Sequence, residues 1–195
     1  MKGLARRLIN YAAVKRNTLV KPYLKGNVLD LGCGAAHLTD FVPMRNYIGI
    51  DANENTIQRL KEIKPDYEFH QIDLDNKASV LKLKGFKTDF ETITLIAVLE
   101  HLHHPQIILE SCSQLLKDNG VLVITTPSRL GDKVGRVAFQ MAGNKNPPFP
   151  HVRIYARQDL EMLLAPLGFK LREYRKFLLG ANQLFICSKS SQSSN

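Results

Sequence analysis

Three carboxylates and two glycines carry the first chemistry legible in this sequence. Asp30 stands just ahead of Gly32-Cys33-Gly34-Ala35-Ala36, Asp51 follows it by 21 residues at the end of Tyr47-Ile48-Gly49-Ile50, and Asp73 precedes Leu74. Glycines at 32 and 34 let the backbone approach a ligand without a β-carbon in the way, and the N–H groups of a helix start beyond them can donate to it. A carboxylate about 20 residues after such a turn is placed to accept hydrogen bonds from ribose hydroxyls. Asp73 and Leu74 together could meet an amino group and the ring of an adenine. The set suits a ligand that carries hydroxyls, an amine and a positive charge. It suits a pyrophosphate poorly, because Asp30 beside the turn would repel it.

A second cluster, Glu100-His101-Leu102-His103-His104, offers groups that exchange protons. A histidine titrating near neutral pH can take a proton from a hydroxyl or phenol, and His101 is the first candidate for that role. An orienting role for His101 in the loop stays open beside it, and His104 is a second contact candidate. No metal site is expected, since His101 and His104 at i, i+3 need a helix that Pro105 is poised to start only afterwards. Further along, residues 128–150 form a Gly- and Pro-containing insertion. Val134, Val137, Ala138, Phe139 and Met141 give it a helix with an apolar side, and Arg129, Lys133, Arg136 and Lys145 outnumber Asp132. That reads either as a lid over an apolar, anionic acceptor or as simple core cover. His151, Arg153 and Tyr155 alternate beyond it, either toward an acceptor or on a surface edge. Asn146-Pro147-Pro148-Phe149 reads as a rigid loop, because it lies past the fifth strand and not beside the reactive edge.

These residues need elements to position them. Short β-branched runs at 27–31, 47–51, 67–72, 90–96 and 121–125 predict strands, and the stretches 35–42, 53–63, 77–83 and 105–117 predict helices between them. The alternation implies crossover connections and a largely parallel sheet covered on both faces, an α/β fold. Glycine turn and carboxylates then share the carboxyl edge of that sheet. A helix at 158–164 precedes two extended runs, 170–177 and 183–188, joined too closely for a crossover and so predicted as an antiparallel hairpin at one edge. Pro105 suits a helix start, and Asp118-Asn119-Gly120 suits a helix stop.

The chain of 195 residues, 44% hydrophobic and 23% charged, matches one ordinary globular domain, and no apolar run is long enough to span a membrane. Cys33, Cys112 and Cys187 are odd in number and widely spaced, which argues against a disulfide framework or a zinc cluster and for a reducing, cytoplasmic setting. The net charge of +9 is concentrated at the start: seven basic and no acidic residues precede Asp30, leaving 20 basic against 18 acidic in the rest. Leu4, Leu8, Tyr11 and Ala12 fall at helical spacing among them, so this segment reads as a basic amphipathic helix. It either packs on the core or meets an anionic membrane. A cleaved signal is not expected, for lack of a continuous apolar stretch.

Val28 to Ala36, Gly49-Ile50-Asp51, Ile72-Asp73-Leu74, Ala97-Val98-Leu99-Glu100-His101 and Leu115 to Pro127 together resemble the class I S-adenosylmethionine-dependent methyltransferases, closest to the branch acting on small molecules, quinone precursors, lipids and sugars. The resemblance implies a Rossmann-like three-layer sandwich with a seven-stranded, mostly parallel sheet whose last strand is antiparallel. It implies a cofactor-binding core at 26–127, an acceptor or lid segment at 128–156, a C-terminal helix and hairpin at 157–188, a basic helical segment at 1–25 and a tail at 189–195. Asp30, Gly32, Cys33 and Gly34 would form the methionine side of an S-adenosylmethionine site, Asp51 with Ala52 the ribose side and Asp73 with Leu74 the adenine side, with Ala97 bordering the amino-acid moiety. S-adenosylhomocysteine would be the product. Ala36 departs from the resemblance, where a third glycine is frequent. The expected partner is a small or lipid-like methyl acceptor. Methylation of RNA or protein, a non-catalytic binding role and a nicotinamide-dependent oxidoreductase are the alternatives. No recognisable RNA-binding module supports the RNA reading.

Overall fold

The computed structural model describes residues 2–86, 89–141 and 151–189, with the side chains of 2–10 and 138–141 outside the description. Seven strands form one sheet: β1 (Val28–Leu31), β2 (Tyr47–Asp51), β3 (Glu68–Gln71), β4 (Phe90–Ile96), β5 (Leu116–Pro127), β6 (Phe169–Phe177) and β7 (Asn182–Lys189). Their order is β3-β2-β1-β4-β5-β7-β6. β1 to β5 pair in parallel, and β7 runs antiparallel to both β5 and β6. The order reverses between β1 and β4, which opens a crevice at the carboxyl ends of those strands. This is the expected Rossmann-like sheet, with the final hairpin at its edge.

Helices cover the two faces. They are α1 (Lys2–Val20), α2 (Glu54–Ile63), α3 (Lys77–Val80), α4 (Pro105–Leu115), α5 (Arg129–Met141) and α6 (Arg157–Leu164). One core cluster packs Leu29, Leu31, Ile93 and Leu95 with Ile108, Leu109 and Leu160. A second packs Val28, Val123 and Leu184 with Val20, Leu38, Ile57 and Leu60. Successive residues of β1, Val28 and Leu29, thus enter opposite layers, as the strand's period of two requires. Among the described residues, no helix is long and apolar enough to cross a membrane.

Two expected elements differ. The helix expected at 35–42 is a single 3-10 turn, His37–Asp40, entered through Ala36 at φ 52°, ψ 45°. Only a short run separates Gly34 from Pro43, and a left-handed residue within it leaves no room for a helical ladder. The third turn position therefore has glycine-like backbone with an alanine on it, fully buried. At the other site α4 stops at Leu115, and Asp118-Asn119-Gly120 lies inside β5, where Asn119 has φ 65° and the pairing with β4 shifts register. The sequence that read as a helix stop serves as a strand bulge.

Candidate active site

The glycine turn leaves β1 at the reversal point and is pinned to β2. Gly32 N–H and Cys33 N–H both donate to the Ile50 carbonyl at 2.8 Å, and Gly34 N–H donates to Asp51 Oδ2 at 2.9 Å. Asp51 Oδ1 accepts from Asn53 N–H at 2.9 Å, and Asn53 in turn caps α2 through Thr56 N–H. The carboxylate that ends β2 is thereby held by the turn on one side and the next helix on the other. Gly32 has φ 75° and a β-carbon there would strike Val98, whereas one at Gly34, φ 52°, would meet open space. That open space is the crevice.

A cavity of about 260 Å³ occupies it, bordered by Asp30, Gly32, Cys33, Gly34 and Ala97, and roofed by Ala13, Arg16 and Asn17 of α1. Asp30 is buried, its Oδ2 accepting from Tyr47 Oη at 2.7 Å and its Oδ1 from Thr94 Oγ1 at 2.6 Å. Burial pushes its pKa up against those two hydrogen bonds, and the charge of Asp51 pushes the same way. A cation in the cavity would relieve that cost. Burial and the same two carboxylates push the Cys33 thiol far above its usual range, so it is inert lining. Ala97 follows β4 at φ 56°, its N–H donating to the Thr125 carbonyl at 2.9 Å. Ala52 is exposed beside Asp51. Asp73 is exposed two residues past β3, with Asp75 N–H on its Oδ1, while Leu74 is buried in the core and presents little surface to a ring.

The acceptor-side candidates divide. His101 lies in a 3-10 turn after β4, its ring 5.1 Å from that of His151. His151 Nδ1 is 2.7 Å from Asp132 Oδ1, and Arg136 donates to Asp132 Oδ2 at 2.7 Å. Although burial works to raise it, those partners hold the Asp132 carboxyl below its ordinary value. His104 and Arg153 are exposed, and Tyr155 is fully buried. The 151–156 stretch is irregular and not a strand, so its alternate residues do not share one face. His103 and His104 instead hang on Asp75, which accepts both backbone N–H groups at 2.8 to 3.0 Å. Phe139 lies outside the described side chains, and Asn146-Pro147-Pro148-Phe149 outside the described residues.

Glu100 is the residue that pattern reasoning undervalued. It is buried, its Oε2 has no hydrogen-bond partner of good geometry, and the Tyr155 hydroxyl is likewise unpaired. Burial pushes its carboxyl up to about 7, with its own backbone N–H and the Arg16 guanidinium pulling the other way. Its carbonyl accepts from Val152 N–H at 2.7 Å and Arg153 N–H at 3.2 Å. Glu100, His101 and His151 offer ligand-type atoms within 4.8 Å of one another. The spacing argument against a metal concerned His101 and His104; the fold supplies His151 in place of His104.

Residues 2–174 match the family model described as a methyltransferase domain. Among curated proteins, a ubiquinone biosynthesis O-methyltransferase of Pasteurella multocida is 30% identical over 131 residues, 62% of this chain and 52% of that protein. A probable S-adenosylmethionine-dependent methyltransferase of Mycobacterium tuberculosis is 27% identical over 73% of this chain and 48% of its own length. The chain thus spans about half the length of the curated relatives it matches. The structure of a Haloferax volcanii putative methyltransferase with its Trm112 activator contains a chain that matches all of this one and 96% of its own length, at TM-score 0.72 and 12% identity. At that identity the likeness shows the fold alone.

Proposed function

This chain belongs to the methyltransferase-domain family of class I S-adenosylmethionine-dependent enzymes, and from that premise we propose that it methylates a small or lipid-like acceptor at oxygen or carbon. The observation that carries the reading is the convergence of Asp30, Gly32, Gly34 and Ala97 on one cavity at the sheet's reversal point. The donor set fits S-adenosylmethionine: Asp30 faces its positive end, Gly32 and Gly34 admit its amino-acid part, and Asp51 stands where ribose hydroxyls donate. Asp73 keeps the adenine side of the same reading, while Leu74, buried in the core, does not meet the ring, and S-adenosylhomocysteine is the product.

When bound, the cofactor supplies a methyl group already activated for displacement. The chain's work is then to align the acceptor and exclude water. Arg16, Ala13 and Asn17 of α1 close the cavity from above. In this reading His101, in the 3-10 turn after β4 with His151 and Asp132 behind it, takes the proton that a hydroxyl or phenol acceptor gives up as its oxygen is methylated. Of the other acceptor-side candidates, Arg153 stays in the reading beside His151, whereas His104 is turned to Asp75 and Tyr155 is buried. α1 could meet an anionic membrane only through its outer residues, of which Tyr11, Val14 and Lys15 are exposed. The three free, buried cysteines suit the cytoplasm as the place of reaction.

Calorimetric titration tests the premise. S-adenosylmethionine and S-adenosylhomocysteine should bind and NAD should not; NAD binding in their place would overturn the assignment. A labelled-methyl screen across phenols, lipids, RNA and protein then identifies the acceptor, and transfer to RNA or protein alone would overturn the acceptor class.

A further inference from the structure

We propose that the β6–β7 hairpin tip and the outer side of α5 form a docking surface for an anionic lipid bilayer. The surface lies outside the cofactor cavity, uses elements other than α1 and does not depend on the methyl-transfer reading.

The first observation is conformational. The loop Leu178-Leu179-Gly180-Ala181 is closed by Ala181 N–H on the Leu178 carbonyl at 3.0 Å, with φ 52°, 53° and 83° at its first three residues. Left-handed backbone suits glycine, asparagine or aspartate, and a leucine there is strained. Two successive leucines hold it here, and Leu179 is 100% exposed. A strained residue whose apolar side chain touches nothing gains no folding stability in return, which turns attention to function.

The second observation is the neighbouring helix. Leu130, Val134 and Val137, at i, i+4 and i+7 of α5, are each about half exposed. Arg129, Lys133 and Arg136 run beside them with the same spacing, all exposed. The helix's inner residues are engaged: Gly131 packs on the Ala181 carbonyl and buried Asp132 binds His151. The apolar and basic rows therefore face away from the domain.

The two features are joined and aimed alike. Ser128 Oγ donates to the Gly180 carbonyl at 2.6 Å and Ser128 N–H to that of Ala181 at 2.9 Å, fixing α5 beside the tip. Phe177, Asn182 and Pro127 are register partners, so the tip projects from the carboxyl edge of β5, the edge that also bears the cavity. Lys176, exposed at the hairpin's base, adds a further positive charge. An apolar tip within a basic surround matches the interior and headgroups of an anionic bilayer.

The test is co-sedimentation of the full chain with vesicles of equimolar phosphatidylglycerol and phosphatidylcholine, against phosphatidylcholine alone. Binding should require the anionic lipid and fall with added salt. Leu179→Asn creates Asn-Gly, the pair this kind of turn favours, so its melting temperature should equal or exceed that of the parent while vesicle partitioning falls about tenfold or more. Leu130→Ser and Lys133→Glu should weaken partitioning in the same direction from α5. Equal sedimentation with both vesicle types, or partitioning unchanged in both Leu179→Asn and Leu130→Ser, would overturn the proposal. So would analytical ultracentrifugation showing a dimer that Leu179→Asn dissolves, which would assign the surface to a second copy of the chain.

Discussion

Glu100 gives the molecule a pH dependence whose sign is fixed by its burial. Its carboxyl titrates near 7 in the fold against an ordinary 4.5, so between those values the native state holds a proton the unfolded chain has lost. Stability therefore falls as pH rises through that window, by about 3 kcal/mol in order of magnitude. Asp30, also raised, contributes with the same sign. Urea unfolding of Glu100→Gln across pH 5 to 8 should show a shallower decline than the parent, the difference being Glu100's share; identical slopes would place the effect elsewhere. Asp51→Ala removes the carboxylate that accepts from Gly34 N–H beside the cavity and should weaken S-adenosylmethionine binding by about 1 to 3 kcal/mol in calorimetry. For His101→Ala, turnover should fall while cofactor affinity is kept. A loss of folding stability matching the loss of rate would instead make it an orienting residue. Asp30, Gly34 and Asp51 were legible at this scale because strand ends and glycines announce themselves locally. The meeting of His101 with His151 and Glu100, and of His151 with Asp132, was not, since it joins positions up to 51 apart through tertiary packing alone.

At the scale of elements, close approach decides how α5 sits. A β-carbon at Gly131 would run into the Ala181 carbonyl, backbone that cannot swing aside. Gly131→Ala should cost about 1 to 3 kcal/mol in urea unfolding, as overpacking does, through displacement of α5 from the hairpin. A neutral result would mean that the helix docks loosely. The strands were readable from their β-branched runs, and so was the closing hairpin from its short connection. The misread elements share one cause. At Ala36 and Asn119 a residue with a side chain takes left-handed backbone, and composition offers no cue for that when the residue is not glycine. Apolar spacing at 35–42 then looks helical although the chain has already turned, and Asp118-Asn119-Gly120 looks like a helix end although pairing with β4 holds it in a strand.

For the whole molecule, the cysteines report on integrity. All three are free and buried, and burial raises every thiol. A thiol reagent should find almost no fast-reacting group in the native protein and three after denaturation. Bound cofactor should slow Cys33 most, because Cys33 alone of the three borders the cavity; protection of Cys112 in its place would misplace the ligand. The roof over that cavity has a kinetic corollary. Arg16 of α1 exerts its pull on Glu100, and the Glu100 carbonyl anchors the backbone at 152 and 153. Lifting the roof would withdraw that charge from Glu100, whose backbone carries the wall beside His151, so a nucleoside slipping in late would meet an altered berth for its neighbour. Reagents should consequently enter in a compulsory sequence, sulfonium before acceptor, and product-inhibition patterns should be those of an ordered turnstile.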